Sequence, residues 1–113
     1  MAATFTKYKL VFFVPPPALS ACKSAIFSAG AGRFPGPGGY TECCFTSKGV
    51  GQFRPGDAAN PNIGKIGNLE EVEEYRVEAI CVNRETTVRA VHALKKAHPY
   101  EEPAYEVYKM EDI

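Results

Sequence analysis

The sequence predicts an α+β domain of order β-α-β-β-α-β, with a four-stranded antiparallel sheet carrying two helices on one face. Three observations predict it. A β-branched and aromatic run near the start is stopped by proline, two segments space their apolar residues as helices do, and a late segment alternates apolar with polar residues.

Residues 7–14 (Lys-Tyr-Lys-Leu-Val-Phe-Phe-Val) read as the first strand, ended by Pro15-Pro16-Pro17 and apolar at both parities, hence central in the sheet. Residues 17–29 repeat Leu19, Cys22, Ile26 and Ala29 at helical spacing, with Lys23 and Ser24 off that stripe and Gly30 as the stop. Residues 30–39 are dense in glycine and proline and read as a turn-rich loop. Residues 40–47 (Tyr-Thr-Glu-Cys-Cys-Phe-Thr-Ser) are the expected second strand, followed by a long central loop over 48–71. Residues 72–82 set Tyr75, Val77, Ala79 and Cys81 against Arg76, Glu78, Ile80 and Val82, a third strand. Residues 85–97 read as a helix with Val88, Val91 and Leu94 inward and Arg89, Lys95 and Lys96 outward, and residues 103–110 as the last strand.

This order is the split βαβ, or ferredoxin-like, arrangement, whose right-handed crossovers put both helices on one side of the sheet. The other side is left uncovered. Because the strands carry apolar residues such as Tyr8, Phe12, Ile80, Val82 and Tyr108 at both parities, that face is expected to meet another copy of the chain.

Composition excludes several classes. A chain of 113 residues, 45% hydrophobic and 23% charged, is one globular domain (1–113, core about 7–110) with a core of ordinary size. Thirteen basic and thirteen acidic side chains cancel, which argues against nucleic acid as a partner. Cys22, Cys43, Cys44 and Cys81 include no C-x-x-C pair and read as reduced thiols of a cytoplasmic protein. Lys7, Lys9, the run Leu10–Val14 and Leu19-Ser-Ala-Cys22 imitate a secretory leader, but its apolar stretch is shorter than the required ~7–15 residues and ends at proline. No run reaches the roughly 20 apolar residues of a membrane helix, so no membrane partner is expected.

Several motifs appear together. They are Lys9-Leu-Val-Phe-Phe-Val-Pro15, Ala29-Gly-Ala-Gly32, the segment from Tyr40 to Phe45, and Gly49-x-Gly51-x-Phe53-Arg54-Pro55. Ala59-Asn60-Pro61-x-Ile63-Gly64, Glu70-Glu71-Val72-Glu73 and His98-Pro-Tyr-Glu-Glu-Pro-Ala-Tyr105 complete the set. In this order, over about residues 8–110, they resemble the YqfO-type insert domain of the NGG-interacting-factor-three-like family, the dinuclear-metal-centre proteins. The resemblance implies a fold related to the trimeric PII and CutA proteins and a domain that also occurs free-standing at about this length. It places the family's metal ligands in a core outside this domain, so it carries no ligand residue onto this chain. A cyclohydrolase label on larger relatives does not transfer to this domain, and no Gly-Lys-Ser/Thr completes a P-loop here.

The candidate ligand-binding residues are Gly49, Gly51, Phe53 and Arg54, expected as a glycine loop, with His98, Tyr100, Glu101 and Glu102 in the turn after the second helix. Backbone amides and Arg54 suit a small anion, whereas the glycines by themselves serve equally to permit positive φ. His98, Glu101 and Glu102 are weak metal-ligand candidates, since zinc needs about four donors, and His98-Pro99 also simply ends a helix. The acidic run Glu70, Glu71, Glu73, Glu74 reads as charged surface.

The functional expectation is a non-enzymatic regulatory module. It acts as a homo-oligomer, a trimer by the resemblance, and holds a small anion or a divalent metal between subunits where the 48–67 loop meets the 98–105 turn. No organic cofactor is expected. The alternatives are an adaptor for a protein partner through the central loop, with Phe53 and Ile63 as contacts, and a metal-dependent hydrolase, for which no nucleophile motif is visible.

Overall fold

The structure, a computed structural model, describes residues 6–113, and residues 1–5 of the expected domain lie outside the described residues. The elements are β1 (Tyr8–Val14), a one-turn 3-10 helix (Pro16–Ala18), α1 (Leu19–Ser28), β2 (Phe45–Phe53), β3 (Glu70–Cys81), α2 (Arg84–Ala97) and β4 (Tyr105–Lys109). They form one sheet of order β2-β3-β1-β4 with every neighbouring pair antiparallel. This is the ferredoxin-like βαββαβ fold.

Alternation along the strands builds the core. Leu10, Phe12 and Val14 of β1 and Val77, Ala79 and Cys81 of β3 face the helices and are closed over by Cys22 and Ile26 of α1 and Ala90 and Leu94 of α2. Pro16 sits in the first turn of the helical segment, where a missing N–H costs nothing. Asn83 caps α2, its side chain accepting a hydrogen bond of 2.7 Å from the Thr86 N–H. The inward stripe of α2 is Thr87, Ala90 and Leu94; Val88, expected inward, is exposed, and Val91 is half-buried.

The second strand departs most from expectation. It begins at Phe45 and runs through Gly49 and Gly51 to Phe53, so the central loop is 54–69 rather than 48–71. Residues 40–44 are held outside the sheet. Gly39 and Glu42 have positive φ (67° and 55°), and the Cys43 N–H donates to the Gly32 carbonyl at 2.8 Å. Intrinsic preference favoured Tyr-Thr-Glu-Cys-Cys as strand; pairing with β3, from Phe45↔Glu78 to Phe53↔Glu70, overrode it.

β2 and β3 run past the end of β1. Val14 faces Tyr75, and the pairs from Gly49↔Glu74 to Phe53↔Glu70 form a two-stranded arm with no third strand beside them. The face of the sheet away from the helices carries Lys9, Val11, Phe13, Arg76, Glu78 and Ile80. Val11 is buried there, and Arg76 pairs with Glu78 within the chain, while Phe45 and Tyr108 are exposed. Val82 lies beyond the end of β3 and takes no part in this face.

Candidate functional site

The end of α2 sets the site. The His98 N–H completes the helix on the Leu94 carbonyl at 2.9 Å, and the residue then turns extended (φ −75°, ψ 137°), as a residue before proline must. Its imidazole points inward. Nε2 lies 2.7 Å from the Phe13 carbonyl oxygen, and Nδ1 is 3.1 Å from the Tyr100 N–H. A carbonyl only accepts and an amide N–H only donates, so the network assigns a neutral imidazole with its proton on Nε2. Burial holds its pKa below the usual histidine value, against smaller upward pulls from the Phe13 hydrogen bond and the Glu74 carboxylate. Both nitrogens are therefore engaged, and His98 is a structural clasp between α2, β1 and the following turn.

That clasp presents Tyr100. Its ring meets His98 edge-on at 4.8 Å between centroids and Phe53 of the arm at 6.2 Å. The Tyr100 hydroxyl is buried and has no partner at hydrogen-bonding geometry, although the Glu74 carboxylate is close enough to act on it. Burial, and then Glu74, push this phenol up to about 12.

The central loop closes over the same place. Arg54 Nη1 donates to the Gly67 carbonyl at 2.7 Å, and the Gly67 N–H donates to the Pro55 carbonyl at 2.9 Å. Gly64 and Gly67 make this possible at φ 88° and 81°. The Asn60 N–H then donates to Glu101 Oε1 at 2.8 Å, tying the loop to the turn after α2. Between them lies a cleft of about 320 Å³. Phe53, Pro61 and Ile63 supply apolar walls, and Arg54, Glu74, Tyr100, Glu101 and Glu102 supply the functional groups.

The structure thus gathers Phe53, Arg54, Tyr100, Glu101 and Glu102 in one cleft of the chain. His98 lies behind it. Gly49 and Gly51 belong to β2, where successive amides point in opposite directions and cannot converge on an anion as a loop would. Neither has positive φ. Gly51 instead leaves room for a neighbour, since a Cβ there would coincide with the Glu74 carboxylate. Gly49 lines a separate depression with Phe13, Ser47 and Arg76 that Glu74 also borders. Glu74 is the cleft residue that sequence reasoning passed over; it read as one of four surface acids, and only the register opposite a glycine reveals it.

His98, Glu101 and Glu102 do not form a ligand set: among the described residues no group of three His, Cys, Asp or Glu side chains is placed to hold a metal ion. The four thiols are free. Cys22 and Cys81 lie in the core, where burial pushes both up. Among the described residues no helix is long and apolar enough to cross a membrane.

No family model matches the chain. It is 45% identical over 112 residues to a GTP cyclohydrolase 1 type 2 homolog of Halalkalibacterium halodurans, an alignment covering 97% of this chain and 29% of that protein. It is 39% identical over 113 residues to the homolog of the same name from Bacillus subtilis, again covering 98% of the chain and 29% of the relative. Among solved structures, a Bacillus cereus protein related to NIF3 superimposes with a TM-score of 0.81 at 35% identity, over 98% of this chain and 27% of the other. CutA of Archaeoglobus fulgidus (TM-score 0.65, 12% identity, 94% of this chain and 85% of the other) shares the fold. So does B. subtilis GlnK (TM-score 0.58, 13% identity, 93% and 85%). The chain spans less than a third of the curated relatives it matches, so their whole-protein activity is not carried by the match. Over nearly its whole length, the chain is homologous to one domain, PII- and CutA-like in fold, of these NIF3-related proteins.

Proposed function

We propose that the chain is a non-enzymatic ligand-binding module of regulatory type that takes a small molecule into the cleft between the arm and the turn after α2. One observation carries this reading. The cleft is concave, mixes apolar walls with convergent polar groups, and is built from two segments that hydrogen bond to each other across it, so ligand contacts feed directly into the arm. Regulation follows if an occupied cleft stiffens the 54–69 loop.

A protein-adaptor role through Phe53 and Ile63 is weaker, because both side chains are half-buried in the cleft wall instead of projecting. A metal-dependent hydrolase is weaker still, since His98 spends both nitrogens on structure. The uncovered sheet face, with Phe13, Phe45, Ile80 and Tyr108 around the Arg76–Glu78 pair, supports self-association. We propose a homotrimer acting in the cytoplasm.

A thermal-shift screen of nucleotides, phosphate, divalent cations and small amines tests the reading, because a ligand that binds only the folded state raises its melting temperature. Amide chemical shifts should locate the hit at Asn60, Tyr100 and Glu101. A screen in which no compound moves these amides would refute cleft binding. Light scattering at the monomer mass would refute the assembly.

A further inference from the structure

The charges around the cleft are not balanced. Among its lining residues Arg54 is the one cationic side chain, against Glu74, Glu101 and Glu102. Arg54 is also bonded to its own loop through the Gly67 carbonyl, and one oxygen of Glu101 is taken by the Asn60 N–H. Glu74 differs. The ion pairs among the described residues are Lys48–Glu73, Arg76–Glu78 and Arg89–Glu85, so its carboxylate has no cationic partner. It is half-buried and laid over Gly51 toward the buried, uncharged Tyr100 hydroxyl. A half-buried carboxylate whose polar neighbour is an uncharged phenol, with no cation beside it, is stabilised by a ligand that brings positive charge and hydrogen-bond donors.

The walls add a second requirement. The rings of Phe53 and Tyr100 and the Ile63 and Pro61 side chains offer apolar and aromatic surface that a bare ion would leave unused. The aromatic faces themselves attract an organic cation. A divalent metal needs about six or more oxygen ligands in a tight shell, which these separated carboxylates do not form.

We propose that this cleft selects organic cations with an aromatic or apolar body, the ammonium or amidinium pairing with Glu74 and the body lying against Phe53, Tyr100 and Ile63. The inference rests on the cleft being a ligand site, as argued above, and adds the charge and shape of what it takes. It excludes nucleotides and phosphate as preferred ligands, since their charge would meet the acidic rim. Gly51 becomes a specificity element, because any side chain there displaces the Glu74 carboxylate.

The test uses two probes with one ring and opposite charge, tyramine and 4-hydroxyphenylacetate, titrated into the whole chain by calorimetry and by amide chemical-shift mapping. Tyramine should move the Asn60, Tyr100 and Glu101 amides and bind at least about tenfold more tightly than the anion, the worth of one charged hydrogen bond. Glu74→Gln, which keeps size and removes charge, should erase that preference. Gly51→Ala should weaken tyramine in the same sense while its melting temperature shows the fold intact, which keeps the test decisive if Glu74→Gln is poorly folded. Equal binding of both probes, a preference for the anion, failure of both to bind, or indifference to both variants overturns the inference. A nucleotide or phosphate that moves the cleft amides where tyramine does not leaves the ligand site standing and rejects its cation selectivity. Cleft amides that respond to nothing reject both.

Discussion

β3 passes through two environments, and the contrast explains how the molecule divides its labour. Over Tyr75–Glu78 it lies between β2 and β1, and over Ala79–Cys81 it pairs with β1, with Val77, Ala79 and Cys81 fully or nearly buried under the helices. Over Glu70–Glu74 it pairs with β2 alone, and its residues alternate between exposed and half-buried. The body is held by apolar burial, which is non-directional and cooperative. The arm is held by ladder hydrogen bonds, loop bonds such as Arg54 to Gly67, and its contact with Tyr100. A two-stranded ribbon without a packed face is marginal by itself. Elements that respond to ligands come from the low-stability end of a structure, and the cleft sits where the arm meets the body.

Breaking the body should have the largest effect. Phe12→Ala removes a side chain with no solvent exposure from the centre of the core and should cost about 3–5 kcal/mol in urea denaturation. A loss below about 1 kcal/mol would mean that the body is not the main source of stability.

The clasp between the two regions comes next. His98→Ala deletes the bonds to the Phe13 carbonyl and the Tyr100 N–H and should cost about 1–3 kcal/mol. It should also alter the pH dependence. The folded pKa of His98 is lowered from 6.5, so the unfolded chain takes up the proton first as pH falls. Its contribution is complete above pH 6.5 and is lost as pH drops through the lower folded value. Stability measured between pH 7.5 and 5, in steps of about half a unit, should decline in the wild type and lose this component in His98→Ala. Identical profiles would show that His98 is solvated.

Within the arm the effects should be smaller and local. Gly64→Ala places a side chain at φ 88° and against Glu70, a cost of about 1–2 kcal/mol. Hydrogen exchange should quicken over 54–69 and leave Leu10, Phe12 and Val77 unchanged; an equal rise in the core would show that arm and body open together. The smallest change should come from Lys48→Met. The Lys48–Glu73 pair is 3.0 Å long but solvent-exposed, and screening leaves such pairs without measurable weight, so the melting temperature should not move.

Much of the body is legible in the residue order. The run Leu10–Val14 stopped by prolines, the Cys22 and Ile26 spacing and the Tyr75–Cys81 alternation each encode a local choice that the core later rewards. The arm was misread because Lys48-Gly-Val-Gly-Gln52 has poor strand preference and two glycines that normally mark loops. Of the cleft, Phe53, Arg54, Tyr100, Glu101 and Glu102 stood out as motif residues, whereas Glu74 was hidden in a run of acids and His98 concealed a structural duty behind a chemical one.

By itself the sequence determined the order of elements, the core-facing residues of α1 and β3 and the end of α2 at His98-Pro99, because periodicity and proline sterics act over a few residues. Only the tertiary structure decided that β2 extends through Gly51 to Phe53, that Glu74 falls over Gly51 beside Tyr100, and that both His98 nitrogens are taken. Those outcomes depend on strand register and on contacts between residues far apart in the chain. A shift of one residue in register would turn Glu74 to the opposite face of the sheet, and no local pattern records that choice.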